Sequence, residues 1–170
     1  MYRSKRRGRG SLLWIAAAVL LSCAALALFF RWEQTALQTE EIAVTDPKLS
    51  AAFDGLRIAL VSDVHSGQTG ADNESILQAV AELKPDLIAL TGDLVDCHRP
   101  DFSRVEPLAR GLSAIAPTYY VTGNHEWALG SAAVRELKRT LADCGVTVLS
   151  NEYQVLQRDG ETLVLAGIAD

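Results

Sequence analysis

Cysteine and histidine are scarce in these 170 residues, at three each. No Cys-x-x-Cys pair occurs, so a structural zinc cluster is not indicated, and the spacing of Cys23, Cys97 and Cys144 demands no disulfide. No P-loop lysine follows the glycine-bearing loop at 66–72, which leaves Gly67 and Gly70 as ordinary turn residues. Charge is missing altogether from residues 12–30, where Ser22 is the one strongly polar side chain. About 20 such residues span a hydrocarbon core as a helix. Arg3, Lys5, Arg6, Arg7 and Arg9 come before the stretch, and basic flanks stay cytoplasmic, so the remainder is expected outside the cytoplasm. Beyond residue 10 there are 11 Lys and Arg against 21 Asp and Glu, a net charge of −10, which argues against a nucleic-acid partner.

The expected division is a basic cytoplasmic tail at 1–10, a transmembrane signal anchor at 11–31, a stalk with a short leading strand at 32–54, and an α/β domain at 55–170. A cleaved signal peptide ending at Ala25-Leu26-Ala27 and a lipid-modified Cys23 are alternatives to the anchor. The first would leave Phe29 and Phe30 at the start of the mature chain. The second would follow the lipid with residues too apolar for a flexible tether, so an uncleaved anchor is favoured.

Three apolar runs shape the domain. Residues 55–65 end in Asp63 and His65, residues 86–93 in Asp93, and residues 118–126 in Asn124, His125 and Glu126. The polar ends fall 30 and then 31 residues apart, about the length of one β-α-β unit. Right-handed crossovers would bring all three strand ends to one edge of one sheet. Between them, Ile76, Leu77, Val80 and Leu83 follow helical spacing, capped by Asp72 or Asn73, and Val105, Leu108, Leu112 and Ile115 form a second helix that Gly111 weakens. Residues 131–143 form a third helix, stopped by Gly145, and 146–149 a further strand. The pattern also predicts a short strand at 42–45, a turn at Asp46-Pro47-Lys48, and a hairpin of 153–157 with 162–168 joined through Asp159-Gly160.

Asp63, His65, Asp93 and Asn124 offer hard oxygens and imidazole, a mixture suited to Zn, Mn or Fe. Two ions about 3.5 to 4 Å apart need a bridging ligand, and Asp93, on the middle strand, is the natural bridge. Asp96 fits a loop cap as well as a carboxylate that orients a neighbour, and Glu126 reads as a residue that folds its own turn rather than a ligand. His98 with Arg99 reads as a solvated loop pair.

Asp63-Val64-His65, Gly92-Asp93-Leu94-Val95-Asp96 and Gly123-Asn124-His125-Glu126 resemble the first three signature motifs of the calcineurin-like metallophosphoesterase superfamily, in order and in spacing, and the apolar segment ahead of them is similar to that of membrane-associated bacterial members. The resemblance implies a partial α/β/β/α sandwich behind an amino-terminal transmembrane helix. It implies two divalent metal ions, with Asp63 and His65 on the first, Asp93 bridging and Asn124 on the second. His125 would serve as acid or stabiliser at the leaving oxygen, with Asp96 orienting it. The implied activity is hydrolysis of a phosphoester by a metal-activated hydroxide at the membrane surface, with a lipid-linked or nucleotide-sugar substrate among those it allows. Relatives close the site with later histidines in a Gly-His-x-His stretch, whereas this chain holds only His65, His98 and His125. The expectation is therefore a carboxy-terminally truncated domain with an incomplete second metal site. The competing reading is a non-catalytic membrane-anchored binding module with a degenerate metal site.

Overall fold

The computed structural model describes residues 9–35, 37–65 and 73–168. The loop at 66–72 and the Asp72 cap lie outside the described residues. The chain divides into two units, Met1–Ala36 and Leu37–Asp170.

The first unit is one helix, α1 (Arg9–Thr35). Its stretch Ser11–Phe30 has a mean hydropathy of 2.5, with no side chain buried inside the protein. Twenty residues at 1.5 Å per residue reach about 30 Å, so this helix is long and apolar enough to cross a membrane. It continues as helix past residue 31, through the first part of the expected stalk.

In the second unit the strand expected at 42–45 is absent. Residues 37–46 take no regular structure, and Ile42 and Val44 are 74% and 80% exposed. Strand propensity reflects packing against neighbours, and no ladder is offered to these residues. The turn that follows does form, with Asp46 Oδ1 accepting the Lys48 N–H at 2.8 Å. A single 3-10 turn at Ala51–Phe53, capped by Ser50, then buries Phe53.

The elements that follow are β1 (Ile58–Val61), α2 (Asn73–Leu83), β2 (Leu87–Leu90), α3 (Val105–Ile115), β3 (Thr118–Tyr120), α4 (Asn124–Ala128), α5 (Ser131–Asp143), β4 (Thr147–Val148), β5 (Glu152–Arg158) and β6 (Glu161–Gly167). Strands β1 to β4 form one parallel sheet in sequence order. Its register pairs Val61 with Leu90 and Leu90 with Tyr120, so the ends of the first three strands lie side by side. Asn73 is not a side-chain cap as expected: it begins α2, and its Nδ2 donates to the Arg104 carbonyl at 2.8 Å.

Ala59, Ile88, Leu90 and Tyr120 share a core with Ile76 and Val80 of α2, Leu108 and Leu112 of α3, and Leu137 and Leu141 of α5. A side chain at Gly111 would collide with Leu77, which explains a helix-weakening glycine here: it lets α3 approach α2. The hairpin β5–β6 is antiparallel and turns at Asp159-Gly160, both at positive φ, as a two-residue turn of the Asp-Gly kind requires. Its Leu156 and Arg158 line, with Phe53, Leu87 and Tyr119, a cavity of about 190 Å³. Helices, parallel sheet and hairpin together give the mixed α/β architecture expected from the sequence.

Leu112 is fully buried, whereas Leu60 is 68% exposed. In urea denaturation of the detergent-solubilised chain, Leu112→Ala should lower stability by about 2–5 kcal/mol, and Leu60→Thr should change it by no more than about 0.5 kcal/mol.

Candidate metal centre

The three polar strand ends meet where the parallel strands stop, the edge at which open α/β sheets gather their functional groups. Backbone continuity brings them there. Val121 N–H donates to the Leu90 carbonyl at 3.0 Å, Thr91 N–H to Val61 at 3.1 Å, and His65 N–H to the Asp93 carbonyl at 2.9 Å. Asp63, His65 and Asp93 all hold left-handed backbone conformations, with φ of 55°, 46° and 54°. Asp and His tolerate this region better than most residues, although each such position still costs about 1 kcal/mol or more.

Glu126 holds the arrangement in place. Only 1% exposed, it accepts four backbone N–H bonds, the number of lone-pair sites that an ionised carboxylate offers. Leu94 and Val95 donate to its Oε1 at 2.6 and 3.2 Å. Asp93 and Gly123 donate to its Oε2, each at 2.9 Å. The tie is reciprocal, since Asp93 Oδ1 accepts the His125 N–H at 3.0 Å. The two loops also touch directly: Gly92, at φ 89°, lies so close to Gly123 that a Cβ on it would overlap the Gly123 backbone. Buried behind them, the Tyr120 phenol is pushed above its ordinary pKa by desolvation and then by the nearby Glu126 carboxylate.

One ligand atom each from Asp63, His65 and Asp93 lies within 4.8 Å of the others. Two carboxylates and one imidazole suit a divalent cation such as Mn, Fe or Zn. Ser62 Oγ donates to Asp63 Oδ2 at 2.7 Å, and Asp63 Oδ1 stands 3.5 Å from His65 Nε2. Asn124 opens α4 and is exposed. Among the described residues, Asp93 and Asn124 are the members of the expected set left for a second cation.

The His125 and His65 rings lie with centroids 4.5 Å apart. His125 Nδ1 accepts the Cys97 N–H at 3.3 Å and also faces Asp96 Oδ1 at 3.4 Å. A bare Nδ1 satisfies the first contact and an Nδ1–H the second. Asp96 does cap its loop, accepting the His98 N–H at 2.8 Å. That bond, followed by the charges of His98, His125 and His65, holds its pKa below the ordinary value. One oxygen of Asp96, Oδ1, thus caps the loop and faces His125. The His98 ring centroid is 6.1 Å from that of His125.

The sequence reading missed α4 itself and Lys138, whose Nζ lies 5.6 Å from the Trp127 ring centroid and 2.7 Å from Ser150 Oγ. Nothing in the spacing of α5 marks Lys138 out.

The family model for calcineurin-like phosphoesterases matches residues 56–168. The chain belongs to that family. Membership implies divalent-cation binding, and the ligand groups above are the candidates. A zebrafish (Danio rerio) "Transmembrane protein with metallophosphoesterase domain" is 32% identical over 138 residues, covering 76% of this chain and 30% of that protein. "Uncharacterized metallophosphoesterase YkuE" of Bacillus subtilis (strain 168) is 32% identical over 141 residues, covering 79% of this chain and 48% of that protein. Among solved structures, "Phosphopantetheinyl Hydrolase (PptH)" from Mycobacterium tuberculosis is similar at 20% identity and a TM-score of 0.48, over 65% of this chain and 41% of that one. The chain therefore spans less than half the length of these curated relatives.

Replacing Glu126 by Gln leaves one acceptor oxygen for four N–H donors and turns an NH₂ group toward the rest. Glu126→Gln should cost on the order of 3–5 kcal/mol, the scale for breaking a buried charged network. Hydrogen exchange should show lost protection at the amides of Asp93, Leu94 and Val95. A change within about 0.5 kcal/mol would mean that Glu126 is not the clamp.

Proposed function

We propose that the protein to which this chain belongs is a membrane-anchored phosphoester hydrolase. The observation that carries the reading is the convergence of Asp63, His65 and Asp93 from two adjacent strand ends, with the His125 ring, from beyond the third, 4.5 Å from that of His65. In this reading Asp63, His65 and Asp93 hold a first divalent cation, and Asp93 with Asn124 begins a second position. Bound there, divalent cations supply charge neutralisation for phosphoryl oxygens and acidify water. The domain is acidic, so without them it would repel its substrate.

The remaining work belongs to the chain's own residues. Asp93 and Glu126 fix the relative position of the two loops. With Nδ1–H facing Asp96, His125 delivers a proton to the leaving oxygen from its other nitrogen, Nε2, while Asp96 orients the ring and stabilises its charged form. Residues 1–10 form a cytoplasmic tail, 11–31 the anchor, 32–54 a stalk and 55–170 the catalytic domain on the outer side of a cell membrane. Such a placement favours a phosphoester presented at the membrane surface, such as a lipid-linked diphosphate or a nucleotide-sugar.

A second reading is favoured by one observation: of the four ligands expected from the sequence, Asp93 and Asn124 are the two left for the second cation. In that reading the domain is a one-cation binding module. Turnover of a chromogenic phosphodiester by Mn²⁺-loaded protein supports the hydrolase. Stoichiometric cation without turnover supports the module.

For the hydrolase, Asp93→Asn should remove bound Mn²⁺ and nearly all turnover. His125→Ala should keep Mn²⁺ occupancy and slow turnover by roughly a hundredfold or more. If His125→Ala emptied the protein of Mn²⁺ while the rate per bound ion stayed normal, the two roles would be misassigned. For topology, a reporter fused after residue 60 should score as extracytoplasmic, and a cytoplasmic signal would contradict the anchor.

A further inference from the structure

His65 belongs to two potential ligand sets at once. Besides the set with Asp63 and Asp93, one ligand atom each from His65, Asp96 and His125 lies within 4.8 Å of the others. Asp96 Oδ1 and His125 Nδ1 are already 3.4 Å apart, close to the separation of two ligands on one tetrahedral cation with bonds of about 2.0–2.1 Å. The two sets differ in chemistry. The first has two oxygens and one nitrogen, and its Asp63 side chain is 65% exposed; the second has two imidazoles and one carboxylate, with side chains 19%, 16% and 24% exposed. Hard carboxylate donors suit Mn²⁺, whereas imidazole suits Zn²⁺, and three protein ligands with an open fourth position are a common zinc arrangement.

We propose that His65, Asp96 and His125 form an alternative, zinc-preferring position that competes with the Asp63, His65 and Asp93 position. The competition follows from His65. A neutral imidazole offers one lone pair, so it serves one cation at a time. A Zn²⁺ held by His65, Asp96 and His125 leaves the other position with two carboxylates and takes the His125 Nδ1 lone pair from the Cys97 N–H, so that Asp96 no longer orients the ring for proton delivery. Zinc in excess is thus an inhibitor that acts by moving the cation rather than by blocking the substrate. The competition rests on the proposed role of Asp63, His65 and Asp93; the zinc position itself does not.

The test uses the full chain in detergent, with bound Mn²⁺ followed by electron paramagnetic resonance and Zn²⁺ binding by calorimetry. One equivalent of Zn²⁺ should release the bound Mn²⁺. Asp96→Asn, which keeps an acceptor for the His98 N–H, should raise the Zn²⁺ needed for release by more than about a hundredfold, beyond the roughly 10–100-fold that a change outside the ligand shell costs, and leave Mn²⁺ affinity unchanged. His125→Gln should do the same. Asp63→Asn should weaken Mn²⁺ and leave Zn²⁺ in place. The proposal is overturned if Asp96→Asn and His125→Gln release Mn²⁺ at the wild-type Zn²⁺ concentration, or if both metals bind together. Should the chain bind no Mn²⁺ at all, the hydrolase reading fails separately, and calorimetry still decides: a Zn²⁺ affinity lowered by Asp96→Asn upholds the zinc position, and an unchanged one overturns it.

Discussion

Everything at the sheet edge depends on one buried carboxylate. Glu126 reaches from α4 to the N–H groups of Asp93, Leu94 and Val95 and back to Gly123. Hydrogen bonds to a charged acceptor contribute about 1.5–3 kcal/mol each, and the positive-φ backbone at Asp63, His65 and Asp93 costs about 1–3 kcal/mol per residue. The two sums are of similar size. The clamp therefore suffices to hold three candidate ligands in conformations that an unsupported loop would abandon. Asp93 sits at the crossing point: its N–H goes to Glu126, its carbonyl to His65, and its carboxylate to the His125 N–H.

This arrangement separates rigidity from chemistry. The core of Ile88, Leu90, Leu112 and Tyr120 sets the strands, the strands set the loops, and Glu126 locks the loops to one another. The residues left to meet a cation or substrate are those with exposed or partly exposed side chains, Asp63, His65, Asp93, Asp96, Asn124 and His125. An acidic domain that gathers further carboxylates at one edge has an electrostatic cost, and a divalent cation at that edge offsets it. Cation binding and local order are for that reason coupled in this site.

Much of the architecture was legible because its signals are periodic. Apolar runs with polar ends 30 and 31 residues apart announce parallel strands joined by helices, and Val134, Leu137 and Leu141 mark the inner face of α5. The apolar segment at 12–30 is equally plain. What escaped were features settled by tertiary contacts. Residues 42–45 have strand propensity but find no partner strand. Five residues are too few for periodicity, so α4 was invisible, although Glu126 was rightly read as a residue that folds its turn. Gly111 weakens a helix by propensity alone, and only the position of Leu77, in the space a side chain would need, explains it. The pairing of His65 with His125 lies in three-dimensional proximity alone, since 60 residues separate the two histidines in the chain.

The central claim is that Asp63, His65 and Asp93, set by the Glu126 clamp, converge on one divalent cation. Anomalous diffraction from crystals of the protein grown with Mn²⁺ addresses it directly. The account predicts a manganese peak at coordination distance from a carboxylate oxygen of Asp63, a ring nitrogen of His65 and a carboxylate oxygen of Asp93, with all four N–H bonds to Glu126 retained. A peak elsewhere on the domain, or ligation by Glu126 in place of Asp93, would contradict it.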